Sequence, residues 1–66
     1  MKVKLVYKTE NNQFFGTVKH NLTIKQAKII SDKLLKENKD ITEIYLKHFD
    51  GWHWYKVKTL YKKENE

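Results

Sequence analysis

The sequence predicts an α+β fold: one four-stranded, mainly antiparallel sheet with a single helix packed on one face, in the order β-β-α-β-β. Two segments of alternating apolar and polar residues, each interrupted by turn residues, predict two hairpins. Between them lies one segment with helical periodicity. The predicted single domain covers residues 1–61, and the charged end over residues 62–66 is predicted to fray. Several strand orders fit the short connections equally well.

The second hairpin is the most strongly indicated element. Ile41–Leu60 reads ITEIYLKHF, then Asp50-Gly51, then WHWYKVKTL. Asp-Gly between such runs favours a two-residue type I′ turn, because both central residues of that turn need positive φ. Opposite residues then have numbers that sum to 101. One face would carry the pairs Ile44–Val57 and Leu46–Tyr55, and the other face Phe49–Trp52, Lys47–Trp54, Tyr45–Lys56 and Glu43–Lys58.

The first hairpin joins KVKLVYKT, from Lys2 to Thr9, to QFFGTVKH, from Gln13 to His20. A two-residue turn at Asn11-Asn12 is expected because asparagine tolerates positive φ. Opposite residues then have numbers that sum to 23. The inner face would carry the pairs Leu5–Val18 and Tyr7–Gly16, and the outer face Lys8–Phe15, Val6–Thr17 and Lys4–Lys19.

The helix is predicted to begin after Thr23, since Thr23 and Gln26 have the spacing of a capping box. An apolar stripe follows, and Asn38-Lys39-Asp40 ends it. The stripe is expected to meet the apolar sheet face. The predicted core is Val3, Leu5, Tyr7, Phe14, Val18, Ile44, Leu46, Tyr55 and Val57 from the sheet with Ile24, Ala27, Ile30, Leu34 and Leu35 from the helix.

Composition favours a basic binding protein. Fourteen lysines, no arginine and eight acids give a formal charge of +6 and a pI near 9.6, a balance that favours polyanionic partners. Lysine lacks the planar fork that reads guanine, so sequence-specific groove recognition is disfavoured. An AT-rich coding sequence would explain the same composition without any function. No signal peptide and no apolar stretch long enough to span a bilayer is visible, which predicts a cytoplasmic location.

The face that the helix leaves uncovered is the predicted working surface, because large rings in an open patch normally mark an interaction site. Rings would stack on bases while lysines follow phosphates, as on other sheet platforms for single-stranded nucleic acid. The predicted binding residues are Lys4, Lys8, Phe15, Lys19, Tyr45, Lys47, Phe49, Trp52, Trp54, Lys56 and Lys58.

Two other interpretations of this face stay open. It can serve as a protein interface or a homodimer contact, because a chain of 66 residues has a small core that gains from further burial. By analogy, one such role is a mobile-element accessory protein that blocks a host protein. Alternatively, the rings only pack along lysine stems and the face has no partner.

An enzyme is not expected, and no catalytic residue, cofactor or metal site is predicted. The chain has no cysteine, and its one serine, Ser31, has no histidine at helical spacing. His48 and His53 are predicted to face each other beside the turn, with His20 as a third candidate ligand. Two or three imidazoles without a supporting carboxylate are more simply explained as amphipathic residues at the sheet rim.

Overall fold

The computed structural model describes residues 2–63. Its elements are β1 (Lys2–Thr9), β2 (Phe14–His20), α1 (Ile24–Glu37), β3 (Ile41–Phe49) and β4 (Trp54–Lys62). The strands form one antiparallel sheet in the order β2-β1-β3-β4. The predicted fold class is confirmed, and the strand order left open by the sequence places β1 and β3 in the centre.

The helix has the predicted start. The Thr23 side chain accepts the Gln26 N–H at 3.1 Å, and the Gln26 side chain accepts the Thr23 N–H at 3.0 Å, so two otherwise unpaired backbone donors are satisfied. At the other end, the backbone and side-chain nitrogens of Asn38 both donate to the Leu34 carbonyl. Within residues 2–63 no helix is long and apolar enough to cross a membrane.

The hydrophobic core lies between α1 and the two central strands. Ala27 on the helix and Ile44 on β3 are fully buried. The centre of the core consists of Leu5, Ala27, Ile41, Ile44 and Leu46. Around it pack the partly buried Tyr7, Leu22, Ile30, Leu34, Leu35, Leu60 and Tyr61.

Part of the core prediction is wrong. Phe14 and Val18 are 60% and 44% exposed and lie on the face opposite α1. Ile24, Tyr55 and Val57 are also largely exposed. The β4 residues that pack against the core cluster are Leu60 and Tyr61 near the end of the strand, and Tyr55 and Val57 lie before them. Among the positions the prediction missed, Ile41 packs in the core cluster, and Val6 and Tyr45 are buried on the face away from the helix.

The register of the first hairpin differs from the prediction by one residue. Three residues form the loop: the Thr9 carbonyl accepts the Asn12 N–H, and the Thr9 N–H donates to the Gln13 carbonyl, both at 3.0 Å. Asn12 has φ 63°, as expected for a turn followed by one left-handed residue. The numbers of paired residues therefore sum to 22. Every side chain of β2 consequently points to the opposite face of the sheet from the one predicted. The observed pairs include Lys4–Val18, Leu5–Thr17, Val6–Gly16, Tyr7–Phe15 and Lys8–Phe14.

The register of the second hairpin differs by two residues near its turn. The Asp50 N–H donates to the His53 carbonyl at 3.2 Å, and Gly51 has φ 98°. The turn is thus centred on Gly51 and Trp52, with positive φ at the first central residue as in a type II′ turn. Two irregularities then shift the pairing further along β4. The observed pairs are Phe49–Trp54, His48–Tyr55, Lys47–Lys56, Leu46–Lys58, Tyr45–Thr59, Ile44–Tyr61 and Glu43–Lys62.

The predicted fraying falls mostly outside the described residues, which end at Lys63. Within them, β4 continues to Lys62. The Lys63 N–H donates to the Thr42 carbonyl at 2.8 Å, and the Lys63 ammonium lies 2.9 Å from the Glu10 carboxylate. The hydrogen bond to Glu10 raises the pKa of Lys63 above its ordinary value.

Candidate functional site

The sheet surface opposite α1 is the candidate site and is called the open face below. Its members follow from the alternation of side chains along paired strands. The open face comprises Lys2, Lys4, Val6 and Lys8 of β1, Phe14, Gly16, Val18 and His20 of β2, Glu43, Tyr45, Lys47 and Phe49 of β3, and Trp54, Lys56, Thr59 and Lys62 of β4.

The open face is strongly basic. Lys4 and Lys47 lie directly opposite each other, and Lys47 is also opposite Lys56. Like charges in such positions repel and lower stability slightly, unless an anion lies between them. Glu43 is the one carboxylate among the described strand residues of this face, and it pairs with Lys56 at 3.0 Å. The positive charge on the open face is therefore largely uncompensated.

Aromatic rings lie among these lysines at one end of the face. The rings of Phe49 and Trp54 are paired, with centroids 5.0 Å apart and planes tilted by 37°. The Lys4 ammonium lies 4.4 Å from the Trp54 centroid, and the Lys2 ammonium 5.2 Å from the Phe49 centroid. These are cation–π distances, and each such contact at an exposed site contributes about 0.5–1 kcal/mol.

Tyr45 occupies the middle of the open face and is nonetheless buried, with 8% of its surface exposed. The ammonium groups of Lys56 and Lys47 lie 4.8 and 5.8 Å from its ring centroid. Val6, directly opposite on β1, is 6% exposed. Long lysine stems can cover apolar surface while their charged ends remain in water. The prediction that Tyr45 offers a free ring for stacking therefore does not fit its burial.

At the other end of the face, Lys8 lies over the exposed ring of Phe14, with its ammonium 5.7 Å from the centroid. The β1 lysines Lys2, Lys4 and Lys8 thus each lie over a ring contributed by a neighbouring part of the sheet. Six residues of strand correspond to about 20 Å. The open face consequently presents an elongated basic surface with apolar rings beneath its cations.

The structure brings seven of the eleven predicted binding residues together on the open face. These are Lys4, Lys8, Tyr45, Lys47, Phe49, Trp54 and Lys56.

The other four predicted residues lie elsewhere. Phe15 and Lys19 are on the helix side, because the three-residue loop turns β2 over; Phe15 stacks on Tyr7 with ring centroids 5.1 Å apart. Lys58 also points to the helix side, since a register shift between Leu46 and Lys47 changes its face. Trp52 belongs to the turn and is 83% exposed.

Three of the lysines and aromatic rings of the open face were missing from the predicted set: Lys2, Phe14 and Lys62. Lys2 could have been found, because it shares the alternation of Lys4 and Lys8 along β1. Phe14 could be found only with the correct loop length, since the predicted register placed it in the core. Lys62 was missed because residues 62–66 were predicted to fray, whereas β4 continues to Lys62. In the structure Lys2 lies over the rings of Phe49 and Trp54, and Lys8 lies over the ring of Phe14.

The turn beside the open face is held by Asp50. Its carboxylate accepts the Trp52 N–H at 2.8 Å and the His53 N–H at 2.7 Å. These two backbone hydrogen bonds, the one from His53 first, lower the pKa of Asp50 below its ordinary value. The role of Asp50 is therefore to fix the turn, as its sequence position indicated.

The histidines are not paired as predicted. The shifted turn places His48 opposite Tyr55, and the His48 Nδ1 lies 2.8 Å from the Tyr55 hydroxyl. Their rings meet edge to face with centroids 5.4 Å apart. Among residues 2–63, no group of three or more metal-ligating side chains lies close enough to hold an ion.

Comparison of the chain with protein-family models, with curated proteins and with solved structures found no match.

Proposed function

We propose that this protein binds single-stranded nucleic acid with weak sequence specificity through the open face, in the cytoplasm and without catalysing a reaction. The observation that supports this proposal most is that lysine ammonium groups lie directly over aromatic rings on the open face. Lys4 over Trp54 and Lys2 over Phe49 place cations and stacking surfaces within 4.4 and 5.2 Å of each other. A nucleotide needs the same two groups, a cation for its phosphate and a ring for its base.

On binding, the lysine ammonium groups are expected to leave the aromatic rings and to contact phosphates. A phosphate attracts an ammonium group more strongly than a ring does, because it carries a full negative charge. Once Lys4 turns toward a phosphate, the face of Trp54 is free to stack on a base. Trp54 and Phe49 are therefore assigned to stacking. Tyr45 instead lies beneath the ammonium groups of Lys47 and Lys56.

Weak specificity follows from the kinds of side chain present. The chain contains no arginine, and lysine contacts phosphate as a point charge without selecting a base edge. Stacking also tolerates all four bases, since each has a π-face. An open sheet face favours an unpaired strand, whose bases can turn toward the protein.

The test is fluorescence of Trp54 during titration with a single-stranded oligothymidine. The chain has two tryptophans, so Trp52→Phe leaves Trp54 as the only indole. We expect quenching that saturates and an affinity that falls as salt rises. For three to five lysine–phosphate contacts, log K against log salt should have a slope of about −2 to −4.

A duplex of the same length is the control ligand, and it should bind more weakly because its bases cannot reach the rings. Absence of quenching at low salt would contradict the proposal. Equal affinity for duplex and single strand would contradict the stacking part of the proposal.

A further inference from the structure

β2 is the more exposed of the two edge strands of the sheet. All seven residues from Phe14 to His20 are exposed, and Phe14, Phe15 and Val18 are 60%, 44% and 44% exposed. An edge strand presents unpaired N–H and C=O groups, and an apolar one readily pairs with another strand. The segment FFGTV contains no charge and no proline, so the usual protections are missing from most of its length.

The opposite edge, β4, is protected in the ways that β2 is not. Two register irregularities interrupt its pairing with β3. Lys56, Lys58 and Lys62 are distributed along it, and a partner strand would have to place its side chains beside them. Bulges and lysines both discourage edge-to-edge pairing. The contrast identifies β2 as the edge suited to a partner.

The hydrogen bond from Thr9 N–H to the Gln13 carbonyl fixes which groups of β2 face outward. In an antiparallel ladder, alternate residues point their backbone groups toward the partner strand. Phe15, Thr17 and Lys19 thus bond to β1. Phe14, Gly16, Val18 and His20 direct their N–H and C=O groups away from the sheet, where a new strand would bond to them.

We propose that a second copy of this chain pairs with this edge, with β2 antiparallel to β2 and Thr17 on the two-fold axis. Thr17 is the central residue of the seven in β2. This register therefore pairs every residue of the strand, whereas a shift in either direction leaves residues without partners. A two-fold contact uses the same surface on both copies, as a homodimer requires.

The pairs formed in this register are favourable ones. Thr17 meets Thr17, and Gly16 meets Val18, so that the side chain of one copy lies over the bare backbone of the other. Phe15 meets Lys19 of the second copy, so that a cation lies beside a ring. Phe14 meets His20 of the second copy, so that an imidazole lies beside a ring. Like charges do not oppose each other along the paired strand.

Such a dimer would join two sheets into one with eight strands. The axis is perpendicular to the sheet, so both open faces lie on the same side. The two basic surfaces would then lie side by side across the eight strands, and one strand of nucleic acid could contact both copies. This consequence rests on the proposed function, whereas the dimer itself does not.

The first experiment uses the absence of cysteine in the natural chain. Opposed residues whose backbone groups point away from the partner have Cα atoms about 4.5 Å apart, within disulfide range. Thr17→Cys should therefore cross-link rapidly to a covalent dimer under mild oxidation. Thr59→Cys, exposed on β4, is the matched control and should remain monomeric.

The second experiment exchanges charge on the axis. Thr17→Lys and Thr17→Glu each place like charges opposite each other, and each should weaken dimerisation about fivefold or more. An equal mixture of the two variants should recover the dimer. The mass of each variant, of their mixture and of the unchanged chain is measured by sedimentation at about 100 μM. Far-UV circular dichroism checks that both variants are folded.

A monomeric mass for the unchanged chain at this concentration, together with slow cross-linking of Thr17→Cys, would overturn the inference. Cross-linking by Thr59→Cys as fast as by Thr17→Cys would also overturn it. Salt separates the two proposals: dimerisation of two chains of formal charge +6 should strengthen as salt rises, whereas oligonucleotide binding should weaken. A dimer that does not bind oligonucleotide would refute only the proposed function.

Discussion

The two faces of the sheet both bury apolar groups, but they are covered by different means. On the helix side, Ala27 and Ile44 are fully buried beneath packed side chains of α1 and the strands. On the open face, Tyr45 and Val6 are almost as well buried, yet lysine side chains lie over Tyr45. A close-packed cover is held in place by the surrounding core, whereas lysine stems can move when an anion offers their ammonium groups a better partner.

If the open face binds nucleic acid as proposed, stability should depend mainly on the helix side and binding on the open face. Removing a group from the helix side should lower the free energy of unfolding strongly and leave the affinity for nucleic acid unchanged. Removing a group from the open face should have a smaller effect on stability and a larger effect on binding. Two variants test this contrast, and a third tests the turn beside the open face; they follow in order of the expected change in stability.

The largest effect is expected for Ile44→Ala, because Ile44 is fully buried at the centre of the core. Loss of its methylene and methyl groups leaves a cavity, which typically lowers the free energy of unfolding by about 2–5 kcal/mol. Urea denaturation measures the change. Val57→Ala is the control on the same side of the sheet, and since Val57 is 51% exposed, it should cost less than about 1 kcal/mol.

An intermediate effect is expected for Trp54→Ala on the open face. The ring loses its contacts with Phe49 and Lys4, which should lower the free energy of unfolding by about 1–2 kcal/mol. Oligonucleotide affinity should fall by about 1–3 kcal/mol, the usual contribution of one stacked base. Trp52→Ala is the control in the turn, and both of its changes should stay within about 0.5 kcal/mol. A larger binding loss for Trp52→Ala would move the stacking site from the strand to the turn.

The smallest effect concerns the turn and depends on pH. Hydrogen bonds from the His53 and Trp52 N–H groups hold the pKa of Asp50 below its ordinary value of 3.8. A carboxylate with a lowered pKa stabilises the fold above that ordinary value and loses its contribution as pH falls through the folded pKa. The melting temperature should therefore decrease below about pH 4, and less so in Asp50→Asn, which cannot ionise. Identical pH profiles for both chains would contradict this role.

The hairpins show how far the sequence determines the site. Both loops were predicted as two-residue turns, and both registers were wrong. In the second hairpin the turn centre moved by one residue, from Asp50-Gly51 to Gly51-Trp52, so that opposite numbers changed by two and Trp54 kept its predicted face. In the first hairpin the three-residue loop changed the sum of paired residue numbers by one, from 23 to 22, and this placed Phe15 on the helix side. A register shift by an even number of residues keeps each side chain on its predicted face, whereas a shift by an odd number moves it to the other face.

Other features of the site have no signature in the local pattern. The contact of Lys56 with the Tyr45 ring was predicted as a directly opposite pair, but Tyr45 pairs with Thr59 and the Lys56 ammonium reaches the ring diagonally. The burial of Tyr45 itself was not predicted. The shifts along β4 depend on how its residues fit against β3 rather than on a glycine or a turn residue. The capping box and the order of the elements were predictable because both depend on residues close together in sequence.

The most direct test compares two double variants that lower the formal charge of +6 by the same amount. Lys4→Gln with Lys47→Gln removes a directly opposed pair from the open face, and Lys25→Gln with Lys28→Gln removes two exposed lysines from α1. Affinity for oligothymidine is measured at several salt concentrations. Binding through the open face predicts about a tenfold loss or more, with a salt slope shallower by about 1.4, for the first variant alone. Equal losses in the two variants would show that net charge, and not this face, determines binding.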